Sequence, residues 1–320
     1  MNEVVSKRSF AGFYLSLFVL SLFCGLMLLA VLGIFFHAYH TPEFQKRYYG
    51  LVIMSAFVFA GWCYAVYRYC RCSPSVRVDK DFLTLNNRKT ISWDEVENIE
   101  LTGKQPFMFL EDWEGMRIKF RDGKQRVMLD SSYTNLNEVK LFIKCVIIEK
   151  RAALPAGITD VSEDEIGLQN FVFYKGNQFT NVNGILMWVI FFGLALLAGK
   201  YHHSIIVAVF WLATAAANFF GFSSFFNYFG LSGDLLLVRN HNFWWRNKAY
   251  RLADIEEVAF DQPNKRPYRA IIITKDYKIH YYYCATLWRK QRLDLKQALT
   301  DKGIKVRDNA FGDNKDDFIR

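Results

Sequence analysis

With 320 residues, 52% of them hydrophobic and 17% aromatic, the chain is too apolar for an ordinary soluble domain, and 30 Phe is a high count. Its apolar residues gather into long runs, the mark of membrane spans. A formal net charge of +9 leaves anionic headgroups and nucleic acid as the acidic partners to weigh, and no nucleic-acid recognition motif accompanies it.

The first run, 11–36, is uncharged and long enough to cross a bilayer with tilt. It is long for a signal peptide, and no small-residue cleavage site is evident. A second run, 50–67, follows after a short polar loop. A third, 184–199, and a fourth, 204–222, lie close together further on. None has the polar stripe of a core helix in a soluble protein. The expectation is four transmembrane helices in two hairpins. Lys7 and Arg8 precede the first run, and Arg68, Arg71 and Arg77 follow the second. Lys46 and Arg47, between the two runs, are partly offset by Glu43. This bias predicts a cytoplasmic N-terminus and, with an even number of spans, all large polar segments on the same side.

Past the second run, "DFLTLNN" (81–87) has strand-like apolar content and precedes "ISWDEVENIEL" (91–101). Met116, Ile118 and Phe120 then alternate with charge, Asp122-Gly123 marks a hairpin, and Val127 and Leu129 resume the alternation. Val139, Phe142, Ile143, Val146 and Ile147 follow helical spacing, with Asn135 and Glu138 placed as a capping box. Past the fourth run the same order recurs. "DLLLVRN" (234–240) precedes "YRLADIEEVAF" (250–260), then "AIIITKDYKIHYYY" (270–283) with Asp276-Tyr277-Lys278 at its turn. A helix over 287–303 closes the series, with Gly303 placed to stop it. The two strings match at Ile91/Tyr250, Trp93/Leu252, Val96/Ile255, Ile99/Val258 and Leu101/Phe260. Two short strands joined by a tight acidic turn would set all five positions against one core. The chain thus reads as a duplicated unit: hairpin, short strands, amphipathic helix.

This layout resembles bacterial membrane-anchored proteins with pleckstrin-homology-like (PH-like) domains. The carriers are "FLTL…ISWDEVENIEL…IKFRDGK" and "LLLV…YRLADIEEVAF…IIITKDYK". The resemblance implies an α+β integral membrane protein whose β domains are curved or barrel-like antiparallel sheets, each capped by its C-terminal helix. The division is a first hairpin at 1–72, a PH-like domain at 73–151, an acidic linker at 152–183 with "DVSEDE" at 160–165, a second hairpin at 184–222, a basic PH-like domain at 223–307, and a mildly acidic, flexible tail at 308–320. The family implies an adaptor or binding module in the inner membrane, with protein partners and no catalytic residues. The second copy departs from the first by lacking the Trp and by about six extra residues before the string.

The sequence has no P-loop, dinucleotide fingerprint, H-E-x-x-H or C-x-x-C, so no enzyme activity, cofactor or metal is expected. His37, His40, His202 and His203 would share the outer face. No carboxylate or thiol joins them, and they read as anchors of helix ends. The six cysteines form no disulfide framework, and Cys70 and Cys72 beside Arg71 read as ordinary thiols. The runs hold no Asp, Glu, Lys or Arg, which weighs against the rival reading of a small-solute transporter or channel.

Two stretches are candidates for recognition. Residues 223–307 carry 16 Lys and Arg against eight Asp and Glu, whereas 73–151 carry 14 against 13. The extra residues of the second copy fall in "NHNFWWRNK" (240–248). There Phe243, Trp244 and Trp245 adjoin Arg246 and Lys248, a composition suited to a bilayer interface with anionic headgroups. The competing expectation is an ordinary strand with one or two of the aromatics in the core. In the fourth run, Ala213, Ala217 and Gly221 recur at four-residue spacing, and this small face is expected to meet another span.

Overall fold

The computed structural model describes residues 3–38, 44–86, 89–108, 111–151, 153–155, 157–167, 170–263 and 267–308. The tail beyond 308 and His40 lie outside the described residues, as does the side chain of His37. The chain divides into two compact units, Met1–Pro155 and Ala156–Arg320. Both are α+β, combining apolar helices with antiparallel sheets.

The first unit opens with a strand, β1 (Glu3–Val5), before any apolar run. A π-helical turn at Phe10–Leu15, begun by Ser9, leads into α1 (Ser16–Ala38), and α2 (Phe44–Arg71) follows. Then come β2 (Val76–Asp79), β3 (Phe82–Leu85) and β4 (Lys89–Ser92), and the first sheet has the order β1-β2-β3-β4. A single 3-10 turn, Trp93–Glu95, carries the chain into a second sheet. That sheet holds β5 (Val96–Glu100), β6 (Lys104–Met108), β7 (Glu111–Phe120) and β8 (Gln125–Leu129), with β7 paired to the other three. The last helix, α3 (Leu136–Phe142), continues as a π turn through Ile148.

The alternation in β7 has its expected result. Met116, Ile118 and Phe120 are buried with Val78, Leu83 and Ile91 of the first sheet and Val139, Phe142 and Ile143 of the closing helix. Gly123 takes φ +79° at the hairpin turn, where Asp122 Oδ1 accepts from the Lys124 N–H. Asn135 does stand at the start of α3, but its side chain makes no cap bond. Its Oδ1 accepts from the Lys7 N–H (2.6 Å) and its Nδ2 donates to the Val5 carbonyl (3.0 Å). The expected capping residue is thus a clamp on the chain leaving β1.

The second unit has a related but not identical order of elements. A short helix, α4 (Glu163–Gly167), and β9 (Val172–Tyr174) precede α5 (Val182–Lys200) and α6 (Ile205–Ser223). The sheet β12-β11-β10-β9 joins β9 to β10 (Asn227–Leu231), β11 (Leu235–Asn240) and β12 (Asn247–Arg251). A 3-10 turn at Leu252–Asp254 then leads to β13 (Ile255–Asp261), β14 (Arg269–Thr274) and β15 (Ile279–Tyr283). After α7 (Arg289–Asp301), β16 (Val306–Asp308) lies parallel to β13 at the sheet edge. Tyr250, Leu252, Ile255, Val258 and Phe260 all enter one core with Leu295 and Leu299 of α7. Gly303 takes φ +76° just past α7. Tyr277 occupies the same left-handed region, at φ 59°, where the first unit has Gly123.

Two expected boundaries change. Residues 3–5 do not merely lead into a hairpin, because β1 pairs with β2 across both helices, Val4 opposite Val78. Nor is 152–183 a free linker, since Val172–Tyr174 pairs with β10 and the acidic stretch before it is bonded to β12. In both units a strand before the helix pair completes the first sheet. Close approach fixes that entry. A Cβ on Gly12 would lie 1.7 Å from the Ser131 carbonyl oxygen, and one on Gly176 equally close to that of Thr286.

Three helices among the described residues are long and apolar enough to cross a membrane: Phe10–Ile34, Val182–Lys200 and Ile205–Ser223. They make the chain membrane-associated. α2, with Lys46 and Arg47 in its first turn and Arg68 and Arg71 in its last, is not among them.

Candidate membrane-facing site

The loop between β11 and β12 is built on the last turn of α6. Asn240, buried at the end of β11, turns the chain: its Oδ1 accepts from the N–H groups of Asn242 and Phe243, both at 3.0 Å. Its Nδ2 donates to the Ser223 carbonyl at 2.8 Å, and Asn242 Nδ2 donates to the Ser223 hydroxyl at 2.8 Å. An Asn that satisfies its own loop and a helix terminus together holds both in place. The Arg246 N–H donates to the Phe243 carbonyl, so 243–246 form a turn and the aromatics do not alternate along a strand.

The turn separates the aromatic residues. Phe243 is 3% exposed and stacks on Phe220 of α6, with centroids 5.8 Å apart and planes 15° apart. The Arg246 guanidinium lies over the Phe243 ring, 4.7 Å from its centroid. Trp245 leans on Phe243 at 5.4 Å yet is 57% exposed, and Trp244, packed edge-on against Trp245, is 82% exposed. The loop therefore has one aromatic residue in the core and two indoles outside, at the end of a helix long and apolar enough to span a bilayer.

Lys248 continues this surface onto β12, where its ammonium pairs with Asp160. Arg251 Nη2 donates to both carboxylate oxygens of Glu165, at 2.9 and 3.0 Å, and Nη1 donates to the Thr159 carbonyl at 3.1 Å. A cavity of about 220 Å³ lies under this acidic segment, lined also by Asp276, Lys278 and His280. Burial, and next the charge of Lys248, hold the His280 imidazole below its ordinary pKa. Burial raises the Asp276 carboxyl, but hydrogen bonds from Lys278 and Thr274 outweigh it and keep the group below the ordinary carboxylate range. Asp160, Glu165, Arg251 and His280 were not singled out from sequence. The available signal was charge complementarity between "DVSEDE" and the basic domain that follows.

Within its own unit the small-residue face makes no contact with α5. Ala213, Ala217 and Gly221 are exposed, and a Cβ on Gly221 would meet nothing within 4 Å. α6 meets α5 through Ala215, Phe219 and Ser223 instead, with Phe219 against Trp188 (5.7 Å) and Phe191 (5.5 Å). Interlocking aromatic rings bury more area than close contact of alanines, and that decides the face. His202 and His203 adjoin in the turn between α5 and α6, and no cluster of three metal-ligating residues occurs among the described residues. Cys72 is buried and its thiol is pushed up by that burial, the opposite of an activated thiol, while Cys70 is exposed. No protein-family model matches the chain, and no curated protein matches it.

Proposed function

We propose that this chain is a membrane-anchored interaction or scaffold protein of the bacterial inner membrane. In this reading it has four spans in two hairpins and presents two duplicated PH-like domains on the cytoplasmic side, the second touching anionic headgroups through Trp244, Trp245, Arg246 and Lys248. The observation that carries the reading is the seating of Phe243 on Phe220. It sets two exposed indoles at the end of α6, the depth at which Trp rings and cationic side chains favour an interface. Sheet pairing supports the count of spans. β1 and β2 flank the first helix pair and are hydrogen-bonded to each other, so a chain that crosses in α1 must return in α2. The 28 residues of α2 extend about 42 Å at 1.5 Å each. The aromatic packing of α5 on α6 favours a closed pair over a polar passage. No residue is assigned a catalytic role.

The test uses the full chain in bilayers containing phosphatidylserine and lipid brominated near the headgroup. Emission of wild type minus that of Trp244→Phe, Trp245→Phe isolates the two indoles. Quenching of this difference by the brominated lipid is expected, and an unquenched difference overturns membrane contact by the loop.

A further inference from the structure

We propose that the cavity between the acidic strap, residues 157–167, and β12 is a binding site for a phosphate-bearing anion, with Asp160 at the cavity wall and Glu165 on Arg251 acting as internal competitors for its cations. Lys248 and Arg251 reach consecutive strap residues: the ammonium goes to Asp160, the guanidinium to Thr159. Both head groups therefore face the same stretch of the strap and line one cavity, although they stand three residues apart in β12. Lys278 and His280 line the same cavity. Its permanent carboxylates have cations of their own, Asp276 with Lys278 at 2.8 Å and Asp254 with Arg251 at 3.9 Å. Lys248 Nζ and Arg251 Nη2 are matched by strap carboxylates in these pairs.

The strap is weakly held. Thr159 and Asp160 are exposed, Ile158, Val161 and Ile166 are only half-buried, and no described residue from 157 to 167 is fully buried. Ion pairs this open to water are weak and are screened further by salt, so the strap can leave without unfolding the unit. A phosphate monoester carries nearly two charges and three acceptor oxygens on one centre. It can meet an ammonium and a guanidinium together, where the strap needs two separate carboxylates to do so. Lys248 is three residues beyond Trp245, at most about 10 Å of chain, close enough for a lipid phosphate to serve as the anion. That lipid source rests on the membrane-contact reading above; a soluble phosphate does not.

The experiment follows amide hydrogen exchange of residues 157–167 in the full chain, held in phosphatidylcholine nanodiscs. Inorganic phosphate is titrated in one arm, and phosphatidic acid is added to the nanodiscs in the other. Sodium chloride at matched ionic strength controls for screening. Phosphate is expected to speed strap exchange where chloride does not. Asp160→Asn, Glu165→Gln should tighten apparent phosphate binding by roughly fivefold to tenfold, as expected when a competitor worth about one to two surface pairs is removed. Lys248→Gln, Arg251→Gln should abolish the response. A response to phosphatidic acid alone assigns the site to headgroups, and a response to both assigns it to phosphate in general. Strap exchange that neither probe moves beyond the chloride control, or that responds equally in the Lys248→Gln, Arg251→Gln variant, overturns the proposal. Release by inorganic phosphate together with unquenched Trp244 and Trp245 would reject membrane contact and leave this site standing.

Discussion

Phe243→Ala tests whether the loop is truly seated on α6. The ring is almost fully buried and touches three neighbours, the Phe220 ring, the Trp245 ring and the Arg246 guanidinium. Removing a buried phenyl costs about 3–5 kcal/mol, the lower end applying where neighbours can collapse inward. Trp245 and Arg246 belong to the loop rim and can do so, which places the expected loss near 3 kcal/mol. For a unit of this size, that corresponds to a fall in Tm of about 6–12 °C. Phe243→Leu keeps most of the volume and should cost about 1 kcal/mol. The assay is thermal unfolding in detergent followed by near-ultraviolet circular dichroism, to which the fixed Trp244–Trp245 pair contributes. A double-mutant cycle with Phe220→Ala should give a coupling of about 0.5–1.5 kcal/mol, the range for a specific aromatic pair. If both Phe243 variants melt like wild type with an unchanged near-ultraviolet spectrum, the ring does not anchor the loop, and the placement of the two indoles loses its cause.

Lys140 is fully buried, with its ammonium 2.6 and 2.8 Å from the two carboxylate oxygens of Asp130. Lys140→Ala should cost about 3–5 kcal/mol because it leaves a buried carboxylate unpaired, whereas Lys140→Met with Asp130→Asn should recover most of that; equal melting of the single and double variants would refute the pair's role. Burial acts to raise the Glu257 carboxyl, but Arg307 and Lys305 outweigh it and depress its pKa below 4.5. A depressed carboxylate stabilises the fold above its unfolded pKa, and the contribution is lost as pH falls through the folded value. Melting of the second unit should therefore decline below about pH 4.5, and Glu257→Gln should flatten that limb; an unaltered acid limb in the variant would exclude this group as its source.

Local pattern carried much of the architecture. The alternation of Met116, Ile118 and Phe120, the Asp122-Gly123 turn, Gly303 and the five matched positions of the two strings are all read over a few residues, and local sterics enforce them. What escaped is non-local. Val4 pairs with Val78 across two helices, and a three-residue strand is too short for its alternation to register. Asn135 has the right residue type and position for a cap, yet Lys7 and Val5, distant in sequence, take its side chain. The acidic run at 160–165 was legible as charge but not as a strap, because its partners lie nearly ninety residues away. In "NHNFWWRNK" the residue types pointed to an interface, while the division into one buried ring and two exposed indoles depends on where Asn240 turns the chain. That turn is fixed by Ser223, on another element.

The pairing of β1 with β2 and of β9 with β10 constrains more than the shape of a sheet. Each pair of strands brackets two helices, so each helix pair is an insertion between neighbouring strands of one sheet. Backbone hydrogen bonds cannot form through a hydrocarbon layer, where an unmatched N–H or C=O costs several kcal/mol. The first sheet of a unit can therefore close only when both ends of its helix pair emerge on the same side of the membrane. A helix pair with one member left uncrossed would strand Glu3–Val5, or Val172–Tyr174, opposite the domain that needs it. Asn135 then has no Val5 carbonyl or Lys7 N–H to hold, and Gly12 has no Ser131 to pack on. If both helices of each pair cross, as proposed above, completion of the sheet couples domain stability to membrane topology in each unit. In that reading the close contacts at Gly12 and Gly176 would carry the coupling, because they join the segment entering each helix pair to the turn that follows the last antiparallel hairpin of its own unit.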